Sequence, residues 1–463
     1  MSNLHALTIV AAGEMLAARE ISAAELLEAT LDRLAATEPR LHAYTEVFAA
    51  GARAEARRRD AERAAADAVG PLHGIPVAIK DAIEVEGAVM RAGSEALPDR
   101  PAAADAPCVA ALRDAGAVIV GLTDLPELAL GLSSPETRNA WDPRRHPGGS
   151  SSGSAAAVAV GSAFAALGTD SGGSIRIPAA ANGVVGLKPS RGVISNAGVL
   201  PLCESLDTVG PIARTVEDCR IVFECLVGGA GMTAEPVAGP IEERVGLDER
   251  LLEGDVDDEI AAAVRAAIEG LELSGAEIVP IHMADLGAAV DAAITSIQAE
   301  MAPGFRALPD GRPDVFHPAV REFLDAGALL PVTAVRRARV AQARITDELA
   351  DLFGRLRLSA LALPSFPQPP SPLDRQGRLD SDPASRRFVG GAIEYTTFAN
   401  VAGLPAITVP CGFTGDVLPV GLQLVAPPRG EAMLFRLGAA VAAPSSVATS
   451  GWTRPGSSRP AGS

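Results

Sequence analysis

The residue types best suited to chemistry gather between Pro147 and Pro178, in the stretch PGGSSSGSAAAVAVGSAFAALGTDSGGSIRIP. Two serine clusters, Gly148 to Ser154 and Ser171 to Ser174, flank an alanine-rich apolar segment, with one acid, Asp170, and one base, Arg176. Residues this small build no bulky core. They let the backbone turn tightly, approach a ligand and aim several N–H groups at one point. Acyl transfer needs such an arrangement: a nucleophile whose own N–H and its neighbours' hold the developing oxyanion. Ser174, after Asp170-Ser171-Gly172-Gly173, meets that description. The base must shed its proton near neutral pH, and Lys80 ends the apolar run GIPVAIK. Burial there disfavours the ammonium and lowers its pKa, and nearby serines can relay the proton when the lysine does not reach the nucleophile. Standing alone, Lys80 reads as a strand-end lysine in solvent, and each Gly/Ser cluster as a plain turn.

Other chemistries fit less well. Gly148-Gly149-Ser150 before a helix could bind a phosphate, but no GK[ST] follows and no GxGxxG is present. Gly149-Ser150-Ser151-Ser152-Gly153 matches GxSxG with Ser151 central, yet that elbow needs a strand feeding the turn. Trp141 to Pro147 is instead a loop holding Pro143 and Pro147. Of the histidines, only His73 and His146 neighbour these segments; each reads as an ordinary loop residue, and a Ser-His-Asp arrangement stays open. No HExxH or other spaced ligand set points to a metal.

These groups must be positioned by the rest of the chain. Residues 8 to 70 read as helices, with Thr8 and Ser22 as N-caps and Ser22 with Glu25 forming a capping box before Leu26, Leu27, Leu31 and Leu34. Glu38-Pro39 should stop that helix, and Arg57-Arg58-Arg59, interleaved with acids, should form a solvated face of the next. Gly74 to Asp81 alternates branched apolar with other residues, which predicts a half-buried strand ending at Lys80. Helix 106–115 and strand 117–121 make an α/β step. The apolar part of the Gly/Ser stretch predicts one buried helix from Ser154 to Leu167. Downstream come strand 183–187, helix 215–227, strand 245–247, helix 257–273, strand 277–281, a mostly helical region 284–355 and strand 358–363. A long loop 366–382, helix 395–402, strands 406–409 and 420–425 and helix 431–442 complete the pattern. The alternation predicts the α/β class with a mixed sheet.

Nearly half the residues are apolar (48%) but only 3% are aromatic, so the core must be built from Ala, Val, Leu and Ile. The formal net charge of −17 argues against nucleic acid as a partner, since phosphate binding needs a basic footprint. Cys108, Cys203, Cys219, Cys225 and Cys411 contain no CxxC pair, which fits reduced thiols in a cytoplasm. The N-terminus lacks a basic n-region, and the apolar run Ala155 to Leu167 is too short to cross a bilayer.

Together, Lys80 in GIPVAIKD, Ser150 in PGGSSSGS and Ser174 in GTDSGGSIRIP resemble the amidase signature family of serine hydrolases, down to the 24-residue spacing of the two serines. The segments GLKPSRG from Gly186, SLDTVGP from Ser205, NVAGLPA from Asn400 and LPVGLQ from Leu418 extend the likeness; 230–355 and the tail show no clear match. The resemblance implies one large domain over 1–443, a mixed central β-sheet sandwiched between helical layers. Within it lie a helical part (1–70), a catalytic core (71–230) and a variable substrate-side region (231–390); 444–463 would be a disordered tail. It further implies a Ser-cisSer-Lys triad. Ser174 would form the acyl-enzyme, Ser150 would relay and Lys80 would be general base, then acid. The N–H groups of Ser171, Gly172, Gly173 and Ser174 would form the oxyanion hole. Ser151, Asp170 and Arg176 would have structural roles beside it, and no metal or organic cofactor would be needed. Ser-Ser-Ser-Gly replaces the commoner Ser-Ser-Gly-Gly, Asp81-Ala82 replaces Asp-Asn, and the loop Gly131 to Asn139 is short. The expected function is hydrolysis of a carboxylic amide to acid and ammonia or amine. The expected partner is a small-molecule amide, without nucleic acid or membrane, and homodimerisation is compatible with it. One alternative is a glutaminase-type amidotransferase subunit for tRNA-dependent amidation; another is a catalytically silent binding protein.

Overall fold

A computed structural model describes residues 3–442 apart from 66–68, 133, 229–241, 284, 307, 309–311 and 374–382. The expected tail, 444–463, and part of the expected long loop lie outside the described residues. Helices α1 (Ile9–Ala17) and α2 (Ala23–Leu41) open the chain, followed by strand β1 (Tyr44–Val47) and helix α3 (Ala49–Ala65). Strand β2 (Pro76–Lys80), helix α4 (Pro107–Asp114) and strand β3 (Val118–Thr123) lead into the Gly/Ser stretch, which forms helix α5 (Ser152–Val160), strand β4 (Ala165–Asp170) and helix α6 (Arg176–Asn182). Strands β5 (Val185–Lys188) and β6 (Thr208–Ala213), helix α7 (Val216–Leu226), strand β7 (Arg244–Leu247), helix α8 (Asp258–Leu273) and strand β8 (Glu277–Pro280) follow. Helices α9 (Leu286–Arg306), α10 (Pro318–Ala328) and α11 (Val332–Leu356) fill the region read as helical. Strand β9 (Ala360–Pro364), helix α12 (Pro383–Val401), strands β10 (Ala406–Phe413) and β11 (Pro419–Val425) and helix α13 (Glu431–Ala442) complete the order.

The strands form one sheet in the order β1-β3-β2-β4-β6-β5-β10-β11-β9-β7-β8. It is mixed: β3-β2-β4 and β9-β7-β8 run parallel, and the middle pairs run antiparallel. The main apolar cluster, drawn mainly from Ala, Val, Leu and Ile, includes residues of nearly every strand of this sheet. Because β2 and β4 are parallel neighbours, Lys80 and Asp170 end their strands on the same side of the sheet. Open α/β sheets bind ligands beyond such carboxyl ends.

Local sequence explains the main elements. Ser22 and Glu25 form the reciprocal capping box of α2, which buries Leu26, Leu27, Leu31 and Leu34. Helix α5 is buried at every position, which only small side chains permit. A Cβ on its Gly153 would lie 2.1 Å from the Ala43 carbonyl oxygen.

Five local readings need correction. The helix expected from Ser154 to Leu167 ends at Val160, where Gly161 takes the left-handed conformation (φ 79°), and Ala165 onward is strand β4. Pro39 does not stop α2; it sits inside the last turn, where its missing N–H costs a single bond, and His42 in the left-handed region ends the helix. The helical stretch 8–70 is interrupted by β1, one of the sheet's two edge strands. Arg59 is buried rather than solvated, donating to Glu62 and to the Arg113 carbonyl. Strand β2 is buried at all five positions, not half-buried, since parallel neighbours flank it and its apolar residues belong to the central core.

Candidate active site

Lys80, the last residue of β2, is fully buried, and its Nζ donates to Ser150 Oγ at 2.7 Å and to Thr169 Oγ1 at 2.8 Å. Burial lowers its pKa to about 7, against an opposing pull from the Asp170 and Asp207 carboxylates. An amine so held is a base and an acid in comparable amounts at neutral pH. Ser150 follows Gly149 through a cis peptide bond just before α5. The next residue, Ser151, donates its N–H to the Ser174 carbonyl at 3.0 Å, which ties the two serine clusters together. The Ser151 hydroxyl is buried and lies 3.3 Å from both the N–H and the carbonyl oxygen of Thr169, so it belongs to the scaffold.

The second cluster is held by a buried ion pair. The Arg176 guanidinium grips the Asp170 carboxylate through Nε (3.0 Å) and NH2 (2.8 Å), both side chains being fully buried. Its remaining donors meet the Thr396 carbonyl (2.8 Å), Gln423 Oε1 (2.6 Å) and Asn400 Oδ1 (2.6 Å). Burial pushes the Asp170 carboxyl up, but the Arg176 charge and hydrogen bonds outweigh it and hold the group well below the usual carboxylate range. Asp170 also accepts the N–H of Gly173 (2.8 Å) and of Ile175 (3.1 Å). Gly173's N–H therefore points away from the expected oxyanion. Those of Ser171, Gly172 and Ser174 make no hydrogen bond to any described residue, and Gly172 and Ser174 are the partly exposed positions of the loop.

Beside this loop the Ser171 hydroxyl donates to Asp207, which also accepts the N–H groups of Leu202 (2.9 Å) and Cys203 (2.8 Å). Burial raises the Asp207 carboxyl to about 6. Thr169, Ser171 and Asp207 line a cavity of about 10 Å³, enough for one water. An apolar cluster joins Ala82, Leu125 and Leu202 on this flank to Met301 and Phe305 of α9 and Val320 of α10. His146 Nδ1 accepts the Gly148 N–H at 3.0 Å, and burial holds its pKa near 3; His73 Nε2 lies 2.8 Å from the Arg59 carbonyl oxygen. Both histidines brace backbone. Among the described residues no three His, Cys, Asp or Glu side chains converge as a metal site requires. No helix among them is long and apolar enough to cross a membrane.

Sequence reasoning assigns no role to Thr169, Asp207, Thr396, Asn400 or Gln423. Thr169, Asp207, Asn400 and Gln423 lie in segments that carry the family resemblance, and that is the available signal. Thr169 lies just past the segment that composition marks as helix.

A family model, "Amidase", matches residues 25–435. Over 478 aligned residues the chain is 38% identical to the A subunit of the glutamyl-tRNA(Gln) amidotransferase of Roseiflexus castenholzii, covering 95% of this chain and 96% of that protein. Among solved structures, an amidase superposes with a TM-score of 0.83 at 34% identity, covering 94% of this chain and 99% of the other. The corresponding glutamyl-tRNA(Gln) amidotransferase structure from Thermotoga maritima gives 0.76 at 29%, covering 95% and 94%. These relatives correct the expectation of a small-molecule partner without nucleic acid: the name they carry includes both a tRNA and membership of a larger enzyme. Net charge is misleading there, because a sum over the chain says nothing of how charge is distributed over its surface. The matched family model, spanning the site and every strand of the sheet, establishes that the chain belongs to the amidase, or amidase signature, family.

Proposed function

We propose that this chain is the amide-cleaving subunit of a tRNA-dependent amidotransferase, releasing ammonia from glutamine through an acyl-enzyme on Ser174. The observation that carries the reading is 38% identity with a glutamyl-tRNA(Gln) amidotransferase component over 95% of this chain. In the chemistry, Ser174 Oγ attacks the amide carbonyl carbon, its proton passing to Ser150 Oγ while the Ser150 proton passes to Lys80 Nζ. The short Lys80–Ser150 contact and the lowered lysine pKa support this route. The unpartnered N–H groups of Gly172 and Ser174 take the oxyanion. As the C–N bond breaks, the proton returns from Lys80 through Ser150 to the leaving nitrogen, giving ammonia. Water then attacks the Ser174 ester, its proton passing through Ser150 to Lys80; as glutamate leaves, that proton returns through Ser150 to Ser174 Oγ and restores the free serine. A second reading is favoured by the solved amidase at TM-score 0.83: the same cycle on another linear amide without partner subunits.

The test is ammonia release from glutamine, measured for the chain alone and with the partner subunits of its own host and glutamyl-tRNA. Release that depends on the partners and transfers nitrogen to the tRNA is expected. Partner-independent turnover of other amides, with none of glutamine, would replace this reading by the second.

A further inference from the structure

We infer that Thr396, on α12, is a positioning residue whose hydroxyl sets the orientation of the Gly172–Gly173 peptide and so decides which N–H groups face the oxyanion. The inference rests on the reading of Ser174 as nucleophile. Thr396 Oγ1 lies 2.6 Å from the Gly172 carbonyl oxygen and 3.1 Å from that of Ile393, whereas Thr397 Oγ1 lies 3.3 Å and 2.6 Å from the same two. Each hydroxyl has one proton. The shorter contacts assign Thr396 to Gly172 and Thr397 to the helix carbonyl four residues back.

The Gly172–Gly173 peptide is then held at both ends: its carbonyl by Thr396, its N–H by Asp170. The clamp closes on itself, because Asp170 grips Arg176 and Arg176 donates to the Thr396 carbonyl. Gly173 admits this approach, since a Cβ there would lie 2.3 Å from Thr396 Oγ1 and its φ of +122° disfavours a side chain. With that plane fixed, the peptides on either side carry the N–H groups of Gly172 and Ser174, two of the three in this loop that make no hydrogen bond to a described residue. Were the plane to rotate, Gly173's N–H would leave Asp170 and the oxyanion donors would be rearranged. Thr396 is itself fully buried, so it acts through the loop and touches no substrate.

The experiment compares the wild type with Thr396→Val, which keeps the shape and removes the hydroxyl, and Thr396→Ser, which keeps the hydroxyl. The probe is an alkyl fluorophosphonate: Ser174 Oγ bonds to phosphorus, fluoride leaves, and the serine proton passes to Ser150 and Lys80. Removing an oxyanion donor costs 10²–10³ in rate; Thr396→Val removes neither N–H and only loosens the plane that aims them, so the maximal labelling rate should fall by a smaller factor, about 10- to 100-fold. The concentration giving half-maximal rate should stay the same, Thr396→Ser should restore the rate, and thermal unfolding should confirm that all three proteins are folded. Equal maximal rates in Thr396→Val and wild type, or an equal loss in Thr396→Ser, would overturn the inference. Absence of labelling in the wild type would instead overturn the reading of Ser174, which keeps the two failures apart.

Discussion

Replacing Lys80 by methionine should abolish labelling of Ser174 and yet stabilise the protein at neutral pH. Lys80 has an ordinary value of 10.5 and is held at about 7 by burial. At about 1.4 kcal/mol per pH unit, that gap is a penalty of about 5 kcal/mol on burying the charged amine. The folded value is depressed, so the unfolded chain binds the extra proton between the two values and stability rises with pH across that window. The penalty is about 4 kcal/mol at pH 7 and about 2 kcal/mol at pH 9. Against it stand the bonds to Ser150 and Thr169, worth about 1 kcal/mol each and lost at either pH. Lys80→Met should therefore be more stable than wild type by about 2 kcal/mol at pH 7 and about equal at pH 9. Urea unfolding of both proteins at the two pH values measures this. A stability difference that does not change between them would refute the claim that the amine is buried with a depressed pKa.

The labelling rate of the wild type should rise through about pH 7 and then level, as Lys80 loses its proton, measured as rate against pH. Asp170→Asn leaves the Arg176 guanidinium buried without its counter-charge and should destabilise by about 3–5 kcal/mol, read as a large fall in the thermal midpoint. Ser22→Ala removes half of the α2 capping box and should cost about 1 kcal/mol in urea unfolding while labelling is unchanged.

Short-range signals carry most of the fold. The capping box, the β2 run ending at Lys80 and the turn clusters around Ser150 and Ser174 each depend on a few adjacent residues, and the structure keeps them local. Strand β4 is illegible in the sequence because Ala163 to Leu167 continues the small apolar composition of α5, and only Gly161 marks the break. The half-buried reading of β2 fails for a related reason: period-2 alternation cannot reveal a strand covered on both faces. The site's partners are hidden by distance along the chain. Asp170 and Arg176 are neighbours in sequence, and their pairing is legible; the acceptors that complete Arg176, Asn400 and Gln423, lie more than two hundred residues away. The commitment of Gly173's N–H to Asp170 also needs coordinates, since composition counts donors without saying where they point.

In the proposed cycle Ser174 carries the acyl group. Fluorophosphonate treatment followed by intact mass and peptide mapping tests it most directly. One adduct per chain, on the peptide containing Ser174 and absent from Ser174→Ala, is the expected result. An adduct that survives in Ser174→Ala, or that maps to Ser150 or Ser171 in the wild type, would contradict the account.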